Sequence, residues 1–223
     1  MIENPKRAPL VRVVDDDEKV RRSVAFVLEL DGWSVKSFAT AEAFLAEDDP
    51  EAPGCLVLDV RMPGMSGLEL QAALRASGRS IPVLFLTGHG DLDMAVTALK
   101  RGAADFCTKP VAPKKLQAAV GKLVRWHQAF CRSAAEKASV EALLATLTPR
   151  ELEVVRLAAK GLMNKEIAQL LSASEQTVKI HRSNAAKKLG VRSAVDFLEL
   201  LRIADEPLDD RFPIEELEDR EAS

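Results

Sequence analysis

No apolar stretch in the 223-residue chain approaches the ~20 residues needed to span a bilayer, and its start, Met-Ile-Glu-Asn-Pro-Lys-Arg, lacks the apolar centre of a secretory signal. Both absences argue against a membrane partner and lead to the expectation of a cytoplasmic protein. Cysteine is scarce: Cys55, Cys107 and Cys131 are odd in number and lack metal-ligand spacing, so they read as thiols in a reducing compartment. Cys55 and Cys107 fall in predicted strands, where they serve as buried packing. Repeats and low-complexity segments are missing, apart from an acidic tail. Net charge is also small, at -3, but it is unevenly spread. Residues 148–202 hold ten basic against six acidic side chains, and residues 203–223 hold two against nine. The basic excess sits in a stretch of helical patterns, where a nucleic-acid binder would carry it.

What is present divides into two parts, as expected for a chain of this length with 47% apolar residues. Short apolar runs at 10–14, 34–38, 55–58, 82–86 and 104–107 read as strands. Between and after them, helical periodicity covers 20–30, 41–46, 68–76, 92–99 and 114–124. This alternation predicts a parallel sheet with helices on both faces and right-handed crossovers. Residues 123–147 contain neither Pro nor Gly and read as a mostly helical connector. At Thr148-Pro149-Arg150-Glu151 a threonine cap, a proline at the first helical position and a glutamate three residues on mark a helix start and a second domain. Its predicted helices cover 149–159, 164–171, 175–189 and 193–201, with Gly161 and Gly190 closing two of them.

Three stretches that follow strands carry the chemistry of the first part: Asp15-Asp16, Asp59 in Leu58-Asp59-Val60-Arg61-Met62-Pro63, and Lys109-Pro110. A parallel sheet would bring all three to one edge, the side where such sheets collect ligands. Crowded carboxylates need a cation to offset their repulsion, and Mg2+ with its hard oxygen ligands suits them. Asp16 and Asp59 are the expected direct ligands, with Asp15 acting through water and the Arg61 backbone carbonyl as a further ligand. Asp59 is the expected nucleophile toward a phosphoryl group, and Lys109 the charge that stabilises the transferred group. Thr87 is placed to turn toward a new phosphoryl group, vacating space for Phe106. His89 reads as a solvated loop residue beside it.

In the second part, Val178, Ala185 and Leu189 fall on one side of the helix 175–189. Gln176, Lys179, Ile180, Ser183 and Lys187 fall on another. Asn164 is expected to cap the preceding helix and Ser174 this one. A helix pair with so short a connection is a helix-turn-helix, whose second helix enters the major groove. Lys179, Ile180 and Ser183 are the candidates for base edges. Lys165, Thr177, Arg182 and Lys187 are the candidates for phosphates.

The motifs Val14-Asp15-Asp16-Asp17, Leu58-Asp59-Val60-Arg61-Met62-Pro63-Gly64-Met65-Ser66-Gly67, Leu86-Thr87-Gly88-His89-Gly90-Asp91 and Ala104-Asp105-Phe106-Cys107-Thr108-Lys109-Pro110 resemble the receiver domain of bacterial two-component response regulators, the FixJ branch in particular. Leu147-Thr148-Pro149-Arg150-Glu151, Lys160-Gly161-Leu162-Met163-Asn164-Lys165-Glu166-Ile167-Ala168, Thr177-Val178-Lys179-Ile180-His181-Arg182 and Lys188-Leu189-Gly190-Val191-Arg192-Ser193 resemble the LuxR-type (NarL/FixJ-type) DNA-binding domain. The resemblance divides the chain into an α/β flavodoxin-like receiver at 8–125, a helical linker at 126–143, an all-α four-helix DNA-binding domain at 144–203 and an acidic tail at 204–223. It implies phosphorylation on Asp59 by a partner sensor histidine kinase. It also implies homodimerisation through the face built by the fourth predicted helix (Leu92 to Arg101) and the fifth strand, and binding to double-stranded promoter DNA. RNA polymerase is left open as a further partner. Ala173 and Ala185-Ala186 depart from the bulkier residues usual in this family. The tail, with its apolar Leu208, Phe212, Ile214 and Leu217, is a candidate to fold back on the basic helix. Two other readings compete. A phosphohydrolase would need an acid where Arg61 stands, and a receiver serving only for protein interaction would leave DNA binding independent of phosphate.

Overall fold

The computed structural model describes residues 7–88 and 103–208, and the chain falls into two compact units, Met1–Cys131 and Arg132–Ser223. In the first unit five strands form one parallel sheet: β1 (Leu10–Val14), β2 (Ser34–Phe38), β3 (Gly54–Asp59), β4 (Val83–Thr87) and β5 (Asp105–Thr108), in the order β2-β1-β3-β4-β5. The period-2 alternation of the strands divides their side chains between two cores. Val11, Val13, Cys55, Val57, Leu84 and Leu86 pack with Val24 and Leu28 of α1 (Glu18–Leu30) and with Leu116 and Val120 of α4 (Pro113–Leu144). Val14, Leu56, Leu58 and Phe85 face the other way, toward Phe44 of α2 (Ala41–Glu47) and Leu70 and Leu74 of α3 (Gly67–Ala76). Each such side chain contributes about 1.5–3 kcal/mol when buried, so a one-residue slip of any central strand would cost several of these contributions at once.

The strands lie within a residue or so of their expected positions, the fifth shifting to Asp105–Thr108. Helix α1 begins earlier than its apolar period because Asp17 caps it, accepting from the Lys19 and Val20 N–H groups at 2.8 and 3.4 Å. Glu18 pairs with Arg22 in solvent. The predicted helix at 92–99, the dimer-face segment Leu92 to Arg101 and His89 lie outside the described residues.

One strand residue breaks the apolar pattern. Arg12 is fully buried, and its guanidinium donates to Asp48 Oδ1 at 2.7 Å and to the carbonyls of Leu10, Asp49 and Ala52. A cation with no access to water needs this full set of acceptors, and meeting that need ties the α2–β3 connection to the sheet. Alongside, buried His127 of α4 accepts the Gly54 N–H on Nδ1 at 2.9 Å, which puts its own ring hydrogen on Nε2, facing Cys131 Sγ at 3.5 Å.

The stretch expected as a helix over 114–124 followed by a separate connector is a single 32-residue helix, α4. With neither Pro nor Gly from 122 to 147, nothing in the sequence interrupts it near residue 125. The division between the compact units falls inside it, at Cys131 and Arg132.

In the second unit α5 (Pro149–Ala159), α6 (Asn164–Leu170), α7 (Glu175–Leu189) and α8 (Ala194–Ile203) surround a core that includes Val154, Val155, Leu157, Ile167, Val178, Phe197 and Leu201. Thr148 and Glu151 form the expected capping box on α5, Ser174 caps α7 through the Thr177 N–H, and Gly190 closes α7 at φ +69°. The capping role expected of Asn164 is not what the structure has. The cap of α6 is Met163, whose N–H is taken by Glu166 Oε2 at 2.6 Å; Asn164 is already the first helical residue, one place too late to cap, and its side chain bonds elsewhere. The start of the acidic tail is docked on this unit, with Asp205 on Lys137, Glu206 on Arg156 and Leu208 against the core. Residues 209–223 lie outside the described residues.

Burial pulls the proton affinity of His127 below the ordinary histidine range, and the Arg12 charge adds to this. The unfolded imidazole binds its proton near pH 6.5 and the folded one only at lower pH, so this contribution is complete above about 6.5 and is lost as pH falls below it. His127→Gln is expected to flatten the fall in first-unit stability between roughly pH 6.5 and 5. Denaturant midpoints followed by tryptophan fluorescence check this for the first unit alone, because both tryptophans, Trp33 and Trp126, lie within it.

Candidate phosphoacceptor site and nucleic-acid interface

Register sets the first site. Val14 lies opposite Leu58, so Asp15 and Asp59 leave their strands side by side, and Thr87 pairs with Thr108, one residue before Lys109. The strand order turns back between β1 and β3, which opens a crevice beyond their carboxyl ends. Asp15 is fully buried there and Asp16 is exposed. Carboxylate oxygens of Asp15, Asp16 and Asp59 all come within 4.8 Å of one another, a grouping of hard donors suited to a divalent cation.

Lys109 reaches into this crowd from the end of β5. Its ammonium lies 2.6 Å from Asp15 Oδ2 and 3.0 Å from Asp59 Oδ1, and its backbone N–H donates to the Thr87 carbonyl at 2.7 Å. The Lys109–Pro110 bond is cis. Burial pushes the Asp59 carboxyl above the usual carboxylate range and the Asp15 charge adds to this, while Lys109 pulls it back. For Lys109 burial works against the charged form, but hydrogen bonds to Asp15 and Asp59 outweigh it and the ammonium is held above its usual range. Asp59 Oδ1 also accepts the Val60 N–H at 3.0 Å, whereas Oδ2 has no protein donor among the described residues.

Thr87 is buried and its hydroxyl donates weakly to the Cys107 carbonyl at 3.5 Å. Phe106 is half-buried against the α2–α3 face of the sheet. Arg61 follows Asp59 by two residues in the β3–α3 loop and is exposed.

Four supports of the site escaped the sequence reading. Arg21 of α1 donates to the Asp15 and Asp16 carbonyls at 2.6 and 2.9 Å and clamps the acid turn. Glu42 accepts the Met65 N–H at 3.2 Å, and Ser66 with Glu69 forms a capping box on α3. The Ser-x-x-Glu pattern was open to the same argument as Thr148-x-x-Glu151. Gly67 was not, because its reason is tertiary: a Cβ there would lie 2.1 Å from the Asp59 carbonyl oxygen.

On the second unit, α7 buries Val178, Ala185 and Leu189 and leaves Gln176, Lys179, Ile180, Ser183 and Lys187 exposed, as the helical period predicts. Ile180 is 50% exposed. Lys165 on α6 and Thr177 are exposed as well, with the Thr177 hydroxyl engaged by Ser174 at 2.7 Å. Arg182 is half-buried, donating to Asn164 Oδ1 at 3.1 Å. Lys188 turns away from this surface: its ammonium meets Glu151 Oε2 at 2.6 Å and the Thr146 carbonyl at 3.2 Å. The hydrogen bond from Lys188 keeps the Glu151 carboxyl below its ordinary range, so the pair's contribution is present above that range and fades as pH drops into it.

A parallel receiver sheet with an acid triad and a lysine at its carboxyl edge, followed by a four-helix unit presenting a basic helix, defines a two-component response regulator that acts as a DNA-binding transcription regulator rather than an enzyme. Residues 11–121 match the response regulator receiver domain, and residues 145–201 match the luxR family of bacterial regulatory proteins. Nodulation protein W of Bradyrhizobium diazoefficiens is 40% identical over 191 residues, covering 86% of this chain and 84% of that protein. The transcriptional regulatory protein FixJ of Azorhizobium caulinodans is 40% identical over 210 residues, covering 94% and 99%. The solved structure of the response regulator StyR is 42% identical, covers 87% of this chain and 98% of its own, and superposes with a TM-score of 0.81. The chain belongs to the FixJ/TodT family of LuxR-type response regulators. Among the described residues no helix is long and apolar enough to cross a membrane.

Two outcomes are expected. Gly67→Ala forces α3 away from the Asp59 carbonyl and destabilises the first unit by about 1–3 kcal/mol, read as a lower denaturant midpoint by tryptophan fluorescence. Lys188→Ala leaves Glu151 short of a donor and costs the second unit about 1–3 kcal/mol, read from the helical circular dichroism melt.

Proposed function

We propose that Asp59 accepts a phosphoryl group from the phosphohistidine of a partner sensor histidine kinase in the cytoplasm. Asp59 Oδ2 bonds to phosphorus as the P–N bond breaks, and its electron pair leaves with the imidazole nitrogen. The observation that carries this reading is the Lys109 ammonium, 2.6 Å from Asp15 and 3.0 Å from Asp59, bridging the two carboxylates. Lys109 is poised to follow the new negative charge without leaving Asp15.

The donor set fits Mg2+, for which carboxylate and carbonyl oxygens are the natural ligands. Asp16 and Asp59 would hold it directly, the Arg61 carbonyl would add a ligand, and Asp15, deep and already bonded to Lys109, would act through water. When bound, the cation would offset the crowded negative charge and that of the phosphoryl oxygens. The phosphoryl group draws the Thr87 hydroxyl from its long contact with the Cys107 carbonyl, and Phe106 moves into the vacated volume.

These changes alter the surface along the fifth strand, promote homodimerisation through the receiver, and pair two copies of α7 on a two-fold operator in promoter DNA. Meeting two half-sites at once raises affinity without new base contacts. Lys179, Ile180 and Ser183 supply the base-edge contacts and Lys165, Thr177, Arg182 and Lys187 the phosphate contacts, all on α7 or the start of α6. RNA polymerase is a further partner consistent with a promoter-bound regulator.

On incubation with Mg2+ and a small acyl-phosphate donor, intact mass should show one added phosphoryl group in the parent. None should appear in Asp59→Asn or without Mg2+, and only the phosphorylated parent should shift toward a dimer on size exclusion. An adduct that persists in Asp59→Asn would place the acceptor elsewhere.

A further inference from the structure

Five cations of the second unit are spent on carboxylates. Arg150 pairs with Glu153, Arg156 with Glu206, Arg202 with Glu199, Lys137 with Asp205 and Lys188 with Glu151. Arg182 is different. Its partner is the neutral amide of Asn164, whose Oδ1 accepts one guanidinium N–H at 3.1 Å across the turn between α6 and α7. Asn164 has no role as a helix cap and Arg182 has no ion pair to a carboxylate among the described residues. The contact therefore orders the guanidinium without neutralising it.

Position gives this arrangement its meaning. Arg182 follows Val178 by one helical turn, at the border between the buried stripe of α7 and the exposed stripe carrying Lys179 and Ser183. Its stem is half-buried, and Asn164 stands next to exposed Lys165 at the start of α6. An arginine left free there would lose rotamer freedom on meeting a ligand, whereas one already held by a single acceptor keeps its other N–H groups and its full charge for an anion.

We propose that Asn164 is a positioning residue that holds the Arg182 guanidinium ready for a DNA backbone phosphate. An aspartate at 164 would hold Arg182 more tightly but quench it, so the neutrality of the amide is the functional feature. The proposal rests on the DNA-binding reading of α7 given above, and the test separates the two.

The full-length protein, treated with the acyl-phosphate donor, is titrated against a short duplex selected from random-sequence DNA by the parent, at a series of salt concentrations. Arg182→Ala should weaken binding roughly tenfold and reduce the log–log salt slope by about one, as for one lost phosphate contact. Asn164→Ala should weaken binding roughly threefold, the loss that follows when one side chain must be ordered on binding. This loss should vanish in the Arg182→Ala background, because the amide acts only through the arginine. Asn164→Asp should lose at least as much affinity as Asn164→Ala while its melting midpoint stays level or rises, an outcome that a merely structural role would not give.

The proposal is overturned if the Asn164→Ala and Arg182→Ala losses multiply in the double variant, or if Asn164→Asp binds DNA as the parent does. Loss of binding in Lys179→Ala and Lys187→Ala alongside an unaffected Asn164→Asp would sink the positioning role and leave α7 as the DNA-reading helix. Parent-like binding by Lys179→Ala, Lys187→Ala and Arg182→Ala together would remove the DNA-binding surface itself, and the proposal with it.

Discussion

Three carboxylates within 4.8 Å of one another at the edge of a sheet repel, and the receiver unit is arranged around meeting that repulsion with one lysine and room for a cation. Lys109 is the fixed part of the answer. It bridges Asp15 and Asp59, and its own backbone is bonded to the end of β4, so the balance of charge reaches across strands β1, β3, β4 and β5 together. In the proposed function, adding a phosphoryl group to Asp59 changes that balance, and the strand ends that supply Thr87 and Phe106 are the parts in position to respond.

The second unit handles charge by the opposite means, keeping it apart. Glu151 closes the capping box at the start of α5 and takes Lys188, so one of the four basic residues between 179 and 188 is consumed in holding α7 against α5. Lys179, Arg182 and Lys187 remain for the outer surface, and exposed Ile180 sits among them as an apolar contact suited to a thymine methyl. The modest net charge of the whole chain conceals this division, because the acids of the tail offset the basic excess of residues 148–202; the first two of them, Asp205 and Glu206, pair with Lys137 and Arg156.

Most of the architecture was legible in the sequence, for reasons that can be named. Strands such as Leu10–Val14 follow from short apolar runs and helices such as α7 from an apolar period of 3.6, and the start of α5 follows from Thr148, Pro149 and Glu151 alone. The acid site was legible because each of its members directly follows a strand, and parallel strands end together. Asn164 was misread, since a capping residue and the first helical residue differ by a single position that depends on where Met163 turns the chain. Arg12 carried no signal as a residue to be buried, since most of its acceptors, Asp48 and the carbonyls of Asp49 and Ala52, come from the α2–β3 connection, remote from it in the chain.

The sequence by itself determined which elements form and in what order, and marked acids, a lysine and a basic helix as the candidates for functional surfaces, because these depend on local periodicity, local capping and residue chemistry. The tertiary structure alone decided which cations are spent and which are available. It placed Lys188 on Glu151 and Arg182 on Asn164, required a glycine at 67 by bringing α3 onto the Asp59 carbonyl, and seated His127 on Gly54 from 73 residues away. Hydrogen bonds and close approaches of this kind depend on distances between segments remote in the chain, and those distances exist only once the sheet and helices have packed.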